Sequence, residues 1–154
     1  MNANEDSLGS EPMAIGLCCL VVTLALVVGV GLASNLVLRH LVQPLPLWFG
    51  VAFGFRRGRA TGWIALPFFL FWLALMIVIW LYLLGIAHII SGHFSAVETA
   101  MTVIVGGASL IGIALFARLK SFLSPAKAAA AFVAMALLQL ACFRLSFLPA
   151  IAHR

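Results

Sequence analysis

The stretch IALPFFLFWLALMIVIWLYLLGIAHII, residues 64–90, contains no Asp, Glu, Lys or Arg. At a rise of about 1.5 Å per residue, its 27 residues reach roughly 40 Å as a helix, more than the roughly 30 Å hydrocarbon thickness of a bilayer. Large apolar side chains follow one another from Phe68 to Val78 with no polar stripe, the pattern of a helix set among lipid and other helices. This segment decides the class, an all-α integral membrane protein.

The remaining composition agrees. The chain has 154 residues, 65% hydrophobic and 8% charged, whereas soluble domains carry about a quarter charged residues. A soluble fold is excluded, and the length admits four spans of about 20 residues each with short connections and no second domain. Working outward from 64–90 gives a single membrane domain, a four-transmembrane-helix bundle with spans at about 13–35, 62–88, 96–117 and 125–148. Trp63 at one end of the second span and Trp80 and Tyr82 toward the other match interfacial aromatic belts. Local signals set the helix starts: Ser10 and Pro12 before the first span, Ser95 and Glu98 as a capping box before the third, and Ser124-Pro125 before the fourth. The tail carries Glu5, Asp6 and Glu11 without Lys or Arg, the reverse of a signal peptide's basic start, so the first span is expected to stay in the mature chain.

Between the first two spans the pattern breaks at Pro44 and Pro46, and the apolar run 47–55 is too short to cross a bilayer as a helix. Trp48 and its neighbouring Phe residues beside Arg56, Arg57 and Arg59 read as a short interfacial segment at about 43–58, with a re-entrant loop as the alternative. Seven of the nine Lys and Arg lie at Arg39, Arg56, Arg57, Arg59, Arg118, Lys120 and Lys127. The positive-inside rule then makes both segments cytoplasmic and places the N- and C-termini outside. The compact loops favour a cell inner membrane. The same rule accounts for the net charge of +5, so nucleic acid is not an expected partner.

Few residues offer chemistry. His88, His93 and Glu98 are spaced five apart near the outer surface and are the candidate metal ligands, but they cross a helix end, a turn and a helix start. A bis-histidine haem needs imidazoles on two facing helices, and His40, His88, His93 and His153 do not supply them, so no cofactor is expected. Cys18, Cys19 and Cys142 form no Cys-x-x-Cys pair and read as small buried hydrophobes. Glu98 is the only acid beyond residue 11, which leaves no carboxylate pair for catalysis or Mg²⁺, and an enzyme is the less favoured class. Asn35, Gln139, Arg144 and Glu98 are the candidate polar lining or interhelical contacts, with Arg144 and Glu98 expected to pair across adjacent helices.

In span count the chain resembles the small multidrug exporters, but those rely on a membrane-embedded glutamate in the first helix, which this chain lacks. Small-residue faces at Gly29 and Ala33, at Gly106 to Gly112 and at Ala128 to Ala136 suit close helix approach, so the expected partners are lipid and other membrane subunits or further copies of the chain. The expectation is a non-enzymatic accessory or assembly subunit of a membrane complex. A small homo-oligomeric transporter or lipid-handling protein is the alternative, and a metal- or haem-binding membrane enzyme a weaker one.

Overall fold

The computed structural model describes residues 10–90, 92–120 and 123–152. All regular structure in these residues is helical. Helix α1 (Glu11–Leu24), a π-helical segment (Ala25–Val30) and α2 (Gly31–Ala33) form one continuous rod. Then come α3 (Val37–Val42), α4 (Leu47–Phe55), α5 (Thr61–Leu83), α6 (Ala96–Arg118), α7 (Pro125–Leu145) and α8 (Pro149–Ala152). The rod, α5, α6 and α7 are each long and apolar enough to cross a membrane.

Local chemistry explains most helix ends. Ser95 caps α6 as expected, its Oγ accepting from the Glu98 amide while the Glu98 carboxylate accepts from the Ser95 amide. Ser124 and Ser10 occupy N-cap positions but make no side-chain capping bond. Three helices end in the paired-bond motif that needs a left-handed residue just past the last turn. Asn35 (φ 56°), Arg57 (φ 48°) and Gly85 (φ 70°) take that place after α2, α4 and α5. At Asn35 the two bonds run from the Asn35 amide to Leu32 O and from the Leu36 amide to Gly31 O. Asparagine tolerates this backbone better than most residues, so Asn35 is an exposed turn-former and not part of a polar lining.

The path after that turn is not one that local sequence signals mark. Residues 43–58 do not stand apart from the rod. Instead α3 and α4 run back along the rod in the opposite direction, so that Gly31 faces Val37 and His40, Gly50 faces Cys19, and Gly54 meets Gly16 and the Pro12 carbonyl. The physical reason is the line of small residues on the rod and on α4: at Gly16 and Gly54 the two backbones come so close that a Cβ on Gly54 would lie 2.5 Å from the Gly16 Cα. Leu47, Gly50, Val51 and Gly54 are buried in this contact, and Trp48, Phe49 and Phe53 point away from it.

Pro44 and Pro46 break the returning segment into two helices because neither has an amide hydrogen to continue the ladder. Consequently the start of the rod, the Arg56 to Arg59 turn and the C-terminal end of α6 share one end of the molecule, here the basic end. The Asn35 turn shares the other, the loop end, with residues 84–90 and 92–95.

The core joins the rod, α4, α5 and α6 around Ile15, Val22, Leu47, Phe68, Phe69 and Trp72. Helix α7 packs on α5 and touches α3, while α6 and α7 make no substantial contact although they follow each other in the chain.

Candidate functional site

The features that gather polar groups lie where the returning segment breaks. Leu47 donates its amide to Pro44 O and not to Gln43 O, and Pro44 and Pro46 donate nothing, so the Gln43 carbonyl loses its partner within the helix. Gln139 of α7 supplies the replacement, donating through Nε2 at 3.0 Å. The Gln43 side chain in turn donates to Ser146 Oγ at 3.1 Å, and Ser146 Oγ donates to Phe143 O at 2.6 Å. Gln43, Gln139 and Ser146 are 4%, 1% and 0% exposed. This buried polar clamp fastens a helix break to a helix that is otherwise peripheral, since only Ala128 and Gln139 of α7 are buried.

Above the clamp, toward the loop end, is a cavity of about 540 Å³. Its deep wall is apolar, with Leu26, Trp72, Met76 and Val105, and its outer part carries Arg39, His40 and Glu98. From Trp72 to Ile79 on α5 the wall extends seven residues, roughly 10 Å along the helix. The π-helical segment forms part of the same wall through Leu26 and Val30, a place where such segments recur in functional sites. Trp80 Nε1 donates to Thr102 Oγ1 (2.9 Å), and Thr102 Oγ1 donates to Thr99 O (2.7 Å), locking α5 to α6 beside the cavity.

The polar groups differ in how far their bonding capacity is used. Glu98 is committed, its Oε2 accepting from both the amide and the hydroxyl of Ser95 at 2.8 Å, beside the positive end of α6. His40 donates from Nδ1 to Leu36 O (2.9 Å), which leaves Nε2 as its free ring nitrogen, an acceptor. The Arg39 guanidinium lies 4.2 Å from the ring centroid of Phe147, a cation–π contact. That ring belongs to an edge-to-face chain from Phe147 to Phe143 (5.1 Å) and on to Phe71 (5.0 Å). Arg39 Nε is buried without a hydrogen-bond partner, and so is Trp72 Nε1. Among the described residues Arg39 faces no carboxylate as an ion pair.

Of the residues singled out from sequence, Gln139 enters the clamp and Glu98 enters the cavity wall. Arg144 is exposed and does not meet Glu98, because α7 packs on α5 and not on α6. The His88, His93 and Glu98 trio does not converge: the His88 ring packs edge-on against Tyr82 (6.3 Å), and Glu98 serves its cap. Among the described residues no three His, Cys, Asp or Glu side chains are grouped to hold a metal. Arg56, Arg57 and Arg59 are exposed at the basic end, and Trp48 is exposed at about the level of the middle of the rod, close to Gly50, which faces Cys19. Readings that involve Glu5, Asp6 and His153 lie outside the described residues.

Sequence reasoning missed Arg39, His40, Gln43 and Ser146. A glutamine directly before a proline in an apolar run was the available signal for Gln43, since a freed carbonyl and a buried amide occur there together. Comparison with family models, with curated proteins and with solved structures finds no match to this chain.

Proposed function

We propose that the protein is a non-enzymatic, multi-pass inner-membrane protein of the lipid-handling kind, whose cavity receives a membrane-borne amphiphile from the leaflet at the loop end. The observation that carries this reading is the cavity itself. Its volume falls within the roughly 300–1,000 Å³ of small-molecule sites, and it combines an apolar deep wall with a few polar groups toward the loop end.

The accessory-subunit reading keeps one support, the outer face of α7, where Ala129, Ala130 and Ala134 are exposed and thin enough for a partner helix. Gly107 is also open, but three other glycines of the small-residue faces are occupied within the chain. Gly29 makes room for Met101, Gly106 for Trp80 and Gly112 for Phe69.

The path of the chain also supports a topology different from the one expected from charge counting. If the rod crosses the membrane, α3 and α4 must cross it back, because α4 ends beside Pro12. That makes five crossings, the second one discontinuous, and such a break is tolerated where protein groups satisfy the freed backbone. Six of the nine Lys and Arg then share one side with the N-terminus, and the positive-inside rule makes that side cytoplasmic, with the C-terminus outside. Reporters fused at the N-terminus, after Gly58 and near residue 121 are expected to read inside, and one at the C-terminus outside. An outside N-terminal reporter would restore four crossings.

For the function, the protein extracted in mild detergent should carry a lipid-mass adduct in native mass spectrometry. Stoichiometric foreign subunits on a lipid-free chain would decide for the accessory role instead.

A further inference from the structure

We infer that the cavity recognises an anionic head group, carboxylate or phosphate, on a single apolar chain, with Arg39 as its cationic anchor. The inference rests on the lipid-handling reading and adds the charge and size of the ligand.

The unused hydrogen-bonding capacity of the cavity-lining residues includes two buried donors, beside the free acceptor His40 Nε2. Arg39 Nε–H and Trp72 Nε1–H are both buried without acceptors, and both residues line the cavity. Neither group can accept, and the rest of the Arg39 guanidinium is donor only, so a ligand that brings acceptor oxygens to Arg39 suits this wall. Formal charge narrows this further. The one carboxylate on the cavity wall, Glu98, is held by the Ser95 amide and hydroxyl at the positive end of α6. Arg39 is instead stacked on Phe147, which orients the guanidinium without neutralising it. A guanidinium in a partly apolar wall with no counter-ion among the described residues is complementary to an anion, and its planar fork suits carboxylate and phosphate alike.

Size sets the rest. The cavity of about 540 Å³ lies in the range of small-molecule sites, and its wall runs roughly 10 Å along α5 from Trp72 to Ile79. That accommodates one apolar chain of moderate length. With its head at Arg39 and its tail toward Trp72 and Val105, such a ligand keeps the orientation it has in the leaflet at the loop end.

The test uses the full chain in a neutral detergent, with thermal stability and native mass spectrometry as readouts. The probes are dodecanoate, dodecyl phosphate, dodecanol, dodecyltrimethylammonium and inorganic phosphate. Dodecanoate or dodecyl phosphate, or both, should bind and stabilise the protein more strongly than dodecanol, with the cation weakest. The stronger of the two identifies carboxylate or phosphate as the preferred head.

Arg39→Gln should weaken anion binding roughly ten- to hundredfold, the range of a charge-assisted hydrogen bond, while leaving dodecanol binding in place. Arg39→Lys should keep the anion preference, which guards against a folding defect in Arg39→Gln, and Arg144→Gln should change nothing. Dodecanol binding as tightly as dodecanoate, or an unchanged anion affinity in Arg39→Gln, would overturn the head-group inference and leave lipid handling standing. Inorganic phosphate matching dodecyl phosphate would overturn the single-chain ligand. Binding of no probe with an apolar chain would remove the lipid-handling reading itself.

Discussion

Gly54→Ala is expected to destabilise the protein by about 1–3 kcal/mol, the cost of overpacking a close contact, although alanine is the better helix former. A methyl at this position would sit 2.5 Å from the Gly16 Cα and 2.8 Å from the Gly16 nitrogen and the Pro12 carbonyl. All three atoms are backbone, so no rotamer change relieves the clash and α4 must move off the rod. Gly54→Leu should remove the contact altogether and release residues 47–55 from the rod. Gly107→Ala is the matched control, because a Cβ there has nothing within 4 Å, and it should be neutral or stabilising. Thermal melts of the two alanine variants in detergent check the expectation. Equal melting temperatures would mean that the approach of Gly16 to Gly54 has no energetic weight.

Gln139→Leu carries the second large effect. It leaves the Gln43 carbonyl buried with no donor, and an orphaned group of this kind costs about 1–3 kcal/mol. The local consequence should be larger than the global one, since α7 has few other buried residues to hold it and Cys142 on the same helix should become more reactive to thiol reagents. The cause can be separated from simple loss of packing. Replacing Pro44 and Pro46 by alanine lets the helix continue, so that the Leu47 amide can reach Gln43 O in place of Pro44 O. In that background Gln139→Leu should cost distinctly less, a non-additivity read from a double-mutant cycle. Equal costs in both backgrounds would assign the effect to side-chain packing and not to the carbonyl.

The two cases mark where the information in this molecule lies. Residues 64–90, the Ser95 and Glu98 cap and the Pro125 start were legible because each depends on neighbours within a turn or two. A helix satisfies its own backbone, so length and the absence of charge are enough to locate α5, and four segments qualify in the structure.

The apolar character that made those helices easy to find also hid their arrangement. A helix that is apolar all round has no period marking the face it turns inward, so nothing local revealed that Gly54 meets Gly16 while Gly29 and Gly112 serve as seats for Met101 and Phe69. Arg144 and Glu98 were paired on the assumption that consecutive helices are neighbours, and α5 took the place of α6 beside α7.

By itself, then, the sequence determined the helical class of the chain, the identity of the long apolar helices and most of their ends, because these follow from local backbone satisfaction and side-chain transfer. Only the tertiary structure decided that 37–55 returns along the rod, that Gln43, Gln139 and Ser146 meet across about a hundred residues of sequence, and that Arg39 lines a cavity. Those are contacts between groups far apart in the chain, chosen by fit and by the need to satisfy one freed carbonyl, and no short-range pattern records them.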